Sequence, residues 1–147
     1  MKKITYALLI LQVVVLSACG NDKIASLMLP DRSDVTLVSI SGSDINMTIT
    51  DDSKIDDLFT ELSSVNNKSG ESYNDTPETD DYLKIVFSVS GGISSNIVYV
   101  FKKEGGFFIE QPYHGIFSID EAQYNAIRDK IYGGRYSNVL ISNYNAI

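Results

Sequence analysis

The chain has 147 residues, with 12 basic and 19 acidic side chains, a formal net charge of −7, one histidine, one cysteine and no tryptophan. An acidic chain is repelled by phosphate backbones, which excludes nucleic acid as a natural partner. One cysteine and one histidine exclude a disulfide scaffold and a zinc centre of the usual three- or four-ligand kind.

Met1-Lys2-Lys3 is a short positive segment, and residues 4–16 are apolar apart from Thr5, Tyr6 and Gln12. Charge, apolar core and small residues in that order are the layout of a secretory signal peptide. At about 1.5 Å per residue the apolar run reaches roughly 20 Å, short of a hydrocarbon core of about 30 Å, so it reads as a removed segment and not a spanning helix. Leu16-Ser17-Ala18-Cys19 then closely resembles a bacterial lipobox. That resemblance implies cleavage after residue 18 and a diacylglyceryl group on the Cys19 sulfur, with long acyl chains of the palmitate type. A thiolate is the good nucleophile at that position. At ~0.8 kcal/mol per buried CH₂, two such chains hold a protein on a membrane almost permanently. The expectation is a lipid anchor on the outer side of the bacterial cytoplasmic membrane, with no cofactor beyond that covalent lipid.

Removing residues 1–18 leaves 129, with 10 basic and 19 acidic side chains and a net charge of −9. That is one domain's length, able to bury roughly two-thirds of its unfolded surface without staples. Residues 19–34 read as a lipidated cysteine and tether, although Ile24, Leu27, Met28 and Leu29 are unusual in a free linker and suggest docking on the domain or an added edge strand. Residues 35–40 predict a strand, Ser41-Gly42-Ser43-Asp44 a turn, and residues 45–50 a second strand with Ile45, Met47 and Ile49 on one face. Ile55, Leu58, Phe59, Leu62 and Val65 repeat at helical spacing and predict a helix over 52–65, with Asp51, Asp52 and Ser53 as N-cap candidates.

Residues 68–81 read as one long polar loop carrying Glu71, Asp75, Glu78, Asp80 and Asp81, and loops of that length tend to be functional or mobile. Residues 82–90 alternate, with Leu83, Ile85, Phe87 and Val89 inward. Residues 97–101 are apolar on both faces and belong in the middle of the sheet. Glu104-Gly105-Gly106 predicts a tight turn, residues 107–110 another strand, and Ile116-Phe117 its resumption after Gln111-Pro112-Tyr113-His114-Gly115. Residues 118–132 predict the second helix, with Ser118 at the N-cap, Glu121 at N3, Ala122, Ala126, Ile127 and Ile131 inward, and Gly133-Gly134 as its stop. Residues 134–147 form a polar tail in which Val139-Leu140-Ile141 suggests an extra strand. The expected domain therefore spans 35–133 in the order β-β-α-β-β-β-α. It is an α+β fold with an antiparallel sheet of about five strands and two helices on one face.

No GxGxxG, phosphate-binding loop, HExxH or GxSxG occurs. His114 beside Glu110 suggests a general base oriented by a carboxylate, set against the plainer reading of an exposed turn histidine. The acidic loop 71–81 offers oxygens to a cation such as Ca²⁺, but its spacing does not match an EF-hand, and a solvated loop is the plainer reading. Tyr99, Phe108 and Tyr113 form either part of the core or, if they share the outer face of the sheet, an aromatic binding patch.

Two segments carry a resemblance. Ser72-Tyr73-Asn74-Asp75-Thr76-Pro77 with the following Tyr82 strand, and Ile109-Glu110-Gln111-Pro112-Tyr113-His114-Gly115-Ile116-Phe117, are similar to motifs of a family of small lipoproteins from Gram-positive bacteria whose shared domain has no assigned function. The resemblance covers about residues 35–133. It implies localisation and a common fold, and it transfers no catalytic residue. The resulting expectation is a non-enzymatic module at the cell envelope, binding a protein, peptide or cell-wall ligand through Asn74, Asp75, Pro77, Glu110, Gln111, Tyr113 and His114. Two alternatives stand beside it: a small hydrolase using Glu110 and His114, and a cation-binding module using the acidic loop.

Overall fold

Alternation of apolar and polar residues sets the sheet, and the register follows it. In the computed structural model, which describes residues 25–91 and 95–133, β1 (Val35–Ser41) pairs antiparallel with β2 (Asn46–Ile49), placing Val38 opposite Ile49 and Ile40 opposite Met47. On its other side β1 pairs with β4 (Tyr82–Val89), with Val38 opposite Phe87 and Ile40 opposite Ile85. β4 continues to β5 (Ser95–Lys103), β5 to β6 (Gly106–Gln111) and β6 to β7 (Gly115–Ile119), all antiparallel. With β3 (Lys68–Gly70) at the far edge, the order across the sheet is β2-β1-β4-β5-β6-β7-β3, so β5, apolar on both faces, is central as expected.

Among the described residues the sheet has seven strands, more than the five or so expected. One addition is β7, which the hairpin after β6 completes. The other is β3 (Lys68–Gly70), at the start of what reads as a polar loop. It pairs with β7 through Lys68–Phe117 and Gly70–Ile116. Lys-Ser-Gly has no alternating apolar pattern, and a short edge strand held by backbone bonds and carrying a lysine leaves none to read.

One face of the sheet carries Val38, Ile40, Leu83, Ile85, Phe87, Val98, Val100, Ile109 and Phe117, all buried. Against it pack α1 (Asp52–Ser63), through Ile55, Leu58 and Leu62, and α2 (Glu121–Tyr132), through Ile127 and Ile131. Each such side chain contributes roughly 1.5–3 kcal/mol by leaving water. Asp51 caps α1, accepting from the backbone N–H of Ser53 and Lys54. The second helix starts later than Ser118. Ser118 and Ile119 are strand residues paired with Phe108 and Phe107, and the cap is Asp120, which forms a capping box with Gln123. Both Ser118 with Glu121 and Asp120 with Gln123 fit the capping pattern; the β7 ladder claims the first pair. Ala122 is exposed and Ala126 half-buried, contrary to the inward placement expected, because the buried stripe of the helix is centred on Ile127 and Ile131. Gly133, at φ +61°, closes α2. At the β5–β6 turn both Glu104 (φ +51°) and Gly105 (φ +81°) are left-handed, as a two-residue hairpin of the favoured twist requires.

The described part of the tether docks on this core. Leu27 is buried among the helix-facing residues, with Ala25 and Leu29 packed beside it. Arg32 then reaches α1, bonding Asp52 (3.2 Å) and Asp56 (2.6 Å). The lipobox residues Leu16, Ser17, Ala18 and Cys19, the signal segment and the tail from 134 lie outside the described residues. Among the described residues, no helix is long and apolar enough to cross a membrane.

Candidate functional site

The face of the sheet turned away from the helices carries Tyr82 and Lys84 on β4, Tyr99 and Phe101 on β5, Phe108 and Glu110 on β6, and Ile116 on β7, opposite one another in register. Such a face on an antiparallel sheet is ordinarily wet. Here Tyr99 and Phe101 are buried, because residues 72–78 run across them as a strap. Tyr82 meets Tyr99 edge to face at 5.1 Å, and Phe101 stacks with Phe108 at 5.7 Å. The outer-face aromatics thus form a second, smaller apolar layer. Among the described residues the exposed aromatics are Tyr73 and Tyr113, 78% and 69% accessible.

Two hydrogen bonds fix the strap. Ser72 Oγ donates to Glu110 Oε1 at 2.6 Å, both residues buried. Tyr113 Oη donates to Asp75 Oδ1 at 2.7 Å. That bond, which is lost if the phenol ionises beside a carboxylate, holds the Tyr113 hydroxyl above its ordinary pKa. Burial raises the Tyr99 phenol, with Tyr82, Asp75 and Glu110 nearby adding to the effect. The β6–β7 turn aims Tyr113 at the strap. His114 N–H donates to Gln111 O at 3.0 Å, Pro112 takes the second position, and Tyr113 takes the third with φ +59°. That is the pattern of a type II turn, whose third position normally falls to glycine or asparagine. A tyrosine there carries backbone strain of about 1–3 kcal/mol, the kind that clusters at functional positions.

The two sequence segments singled out above therefore meet in space. Asn74, Asp75 and Pro77 lie on the strap, Glu110 beneath it and Tyr113 against it. Two hollows flank the strap. One, of about 290 Å³, lies between Tyr73, Asn74, Glu78, Phe101, Phe108 and Glu110. The other, of about 490 Å³, lies between Asp75, Lys84, Ile97, Tyr99, Pro112 and Tyr113.

Gln111 and His114 serve a different purpose. The Gln111 amide embraces the tether backbone: Met28 N–H donates to Gln111 Oε1 (2.8 Å), and Gln111 Nε2 donates to Met28 O (2.8 Å) and Asn96 Oδ1 (2.9 Å). Asn96 Nδ2 also donates to Met28 O. His114 Nε2 donates to Ser26 O at 2.8 Å, and its ring stacks on Phe117 of the helix-facing side. Glu110 is held by Ser72 on the opposite side. The suggested Glu110–His114 pair is thus not assembled, because alternation along β6 and the turn after it sends the two side chains to different faces. Nor do the loop acids converge. Glu71 pairs with Lys68 (2.9 Å), Glu78 with Lys103 (3.6 Å), and Asp75 accepts from Tyr113. Among the described residues, no group of three or more His, Cys, Asp or Glu is placed to hold a metal ion.

Sequence reasoning passed over Ser72 as a bonded partner, and passed over Asn96 and Ser26 entirely. Ser72 sits inside the quoted motif, which was the available signal. Asn96 and Ser26 offer none, since their roles depend on where the tether lands.

The fold and the strapped face define a small α+β domain built to present loops on one side of an antiparallel sheet. The family model DUF5301, described as a domain of unknown function (DUF5300), matches residues 23–118, and the chain belongs to that family. The match takes in the described, docked residues 25–34 and ends within β7. Among solved structures, the chain is similar to an NMR structure of a protein from Ruminococcus gnavus at 24% identity and a TM-score of 0.55, covering 67% of this chain and 98% of that one. At that identity the likeness shows the fold alone. No curated protein matches.

Proposed function

We propose that this protein is a lipoprotein, anchored through a diacylglyceryl group on Cys19 to the outer side of the bacterial cytoplasmic membrane. Its domain is a non-enzymatic module that binds an envelope protein, peptide or cell-wall ligand. The anchor rests on the positive n-region, the short apolar run and the Leu16–Cys19 lipobox. The binding role rests on one observation above the others: Tyr113, in a strained left-handed conformation and largely exposed, is tied to Asp75 on a strap that crosses the otherwise open face of the sheet. Strain and exposure both cost stability, and neither is needed to complete the helix-side core.

A lipid anchor raises the effective concentration of a domain near other membrane components, so even modest affinity suffices. The test is a crosslinking pull-down from intact cells carrying the wild-type chain, Tyr113→Ala or Cys19→Ala. The expected result is a dominant envelope partner captured by wild type, diminished for Tyr113→Ala, with Cys19→Ala found in the medium. Equal capture by wild type and Tyr113→Ala would remove the strap face from consideration, and membrane retention of Cys19→Ala would remove the anchor.

A further inference from the structure

Glu110 is 4% exposed, and among the described residues its side chain's only hydrogen bond is the one Oε1 accepts from a neutral hydroxyl, that of Ser72. Oε2 takes no hydrogen bond, yet no buried side-chain oxygen or nitrogen among the described residues lacks a partner. Oε2 is therefore open to the 290 Å³ hollow that Glu110 lines. The other charges at that hollow are accounted for: Glu78 with Lys103 and Glu71 with Lys68. Among the described residues, Glu110 is thus the carboxyl at that hollow with no lysine beside it. A buried charge is costly unless paired and hydrogen-bonded.

The walls around this carboxyl are Phe101, Phe108, Tyr73 and Ile116. A hollow of this size is at the small end for ligand pockets, enough for one amino-acid side chain. Aromatic and aliphatic walls with a carboxylate at the base suit an organic cation on an alkyl stem. The stem lies against the apolar walls, the ring faces attract the cation, and the carboxylate receives its hydrogen bonds.

We propose that this hollow accepts the ammonium or guanidinium side chain of a basic peptide segment, with Glu110 Oε2 as the receiving atom and Phe101 and Phe108 as the walls. This names the ligand chemistry of the binding face proposed above and rests on that reading. A metal cation is disfavoured by the apolar walls and by the engagement of the neighbouring carboxylates with lysines.

The test titrates the full-length chain in detergent micelles with Nα-acetyl-lysine amide, Nα-acetyl-arginine amide and the uncharged analogue Nα-acetyl-norleucine amide, followed by NMR of the Phe101, Phe108 and Ile116 resonances. The expected result is perturbation of those residues by the cationic amides, with norleucine amide at least tenfold weaker. Glu110→Gln keeps an acceptor for Ser72 and should hold its melting temperature while weakening the lysine amide at least tenfold. Equal binding of lysine and norleucine amides, undiminished binding to Glu110→Gln, or perturbation by neutral sugars but not by amines overturns the proposal. The wild-type comparison stands even if the variant misfolds. A Tyr113-dependent envelope partner found alongside a failed amine titration would leave the binding face in place and remove only its basic ligand.

Discussion

Tyr113 and Asp75, 38 residues apart in the chain, are joined by a 2.7 Å hydrogen bond that closes the strap over β5. The bond is exposed, so its own worth is small. Its consequence is positional: it fixes an aromatic ring at the end of a turn whose backbone prefers a different residue.

That conflict makes a test. Glycine occupies a left-handed position without the steric penalty, whereas alanine keeps the penalty and loses the ring. Tyr113→Gly should therefore be more stable than Tyr113→Ala by about 1 kcal/mol, the reverse of the order in a helix, with both impaired in partner capture. Thermal denaturation of the two variants checks it. An alanine variant at least as stable as the glycine one would mean that the turn is not strained.

The Gln111 clasp predicts local release of the tether. Gln111→Ala removes three hydrogen bonds, each worth about 0.5–1.5 kcal/mol net, and should cost about 1.5–4.5 kcal/mol. Amide exchange of Met28 should accelerate, and protease cleavage should appear around residues 25–31, while the sheet amides of β4 and β5 stay protected. Unchanged protection at Met28 would show that Leu27 alone holds the segment.

For the second helix, Asp120→Ala should cost about 0.5–2 kcal/mol, as loss of an N-cap does, and Ser118→Ala should be nearly neutral. Urea denaturation midpoints separate the two. A larger cost at Ser118 would place the helix start where the sequence pattern first offers it.

The pH dependence follows from Asp51, the cap of α1, from Asp31, which accepts from the Ser33 N–H and hydroxyl, and from Tyr113. The Ser33 hydroxyl and then the Ser33 N–H lower Asp31, and the Ser53 hydroxyl and then the Lys54 N–H lower Asp51, each below the ordinary carboxyl value of 3.8. A lowered folded value means these carboxylates stabilise the fold above that ordinary value and lose the contribution as pH falls through the folded one. Tyr113 has the opposite sign: its raised value keeps the bond to Asp75 intact below the phenol's ordinary 10.0 and loses it as pH climbs through the folded value. Melting temperature should fall below about pH 4, less steeply for Asp51→Asn than for wild type. An acid limb identical in the two would exclude the cap as a contributor.

Much of the helix-side architecture was legible because its cause is periodic. Leu83, Ile85 and Phe87 alternate, Ile55, Leu58 and Leu62 recur at helical spacing, and both patterns exist to bury one face. Ser118 was misassigned because its local capping pattern is sound, and only the long-range pairing with β6 overrules it. Lys68–Gly70 was invisible as a strand because it buries no side-chain face. At the candidate site, Asp75 and Tyr113 belong to one expected binding set, but nothing in their spacing says that they touch. Glu110 and Gln111 were read as one cluster, yet adjacent strand residues must point to opposite faces, and that rule was available in the sequence.

The Met28 clasp also sets a distance. On the proposed anchor, the stretch between the lipid and the first described residue runs from Cys19 to residue 24, and its upper length is counted there and not to the first strand. At 3.3–3.6 Å per residue, six residues span at most ~20 Å, whereas the sixteen of an undocked tether would span more than 50 Å. Because Ser26 is held by His114, the short leash leaves the domain beside the Pro112–His114 turn. Tyr113 would then patrol a layer within a few nanometres of the lipid headgroups, and a partner deep in the wall would be out of its range.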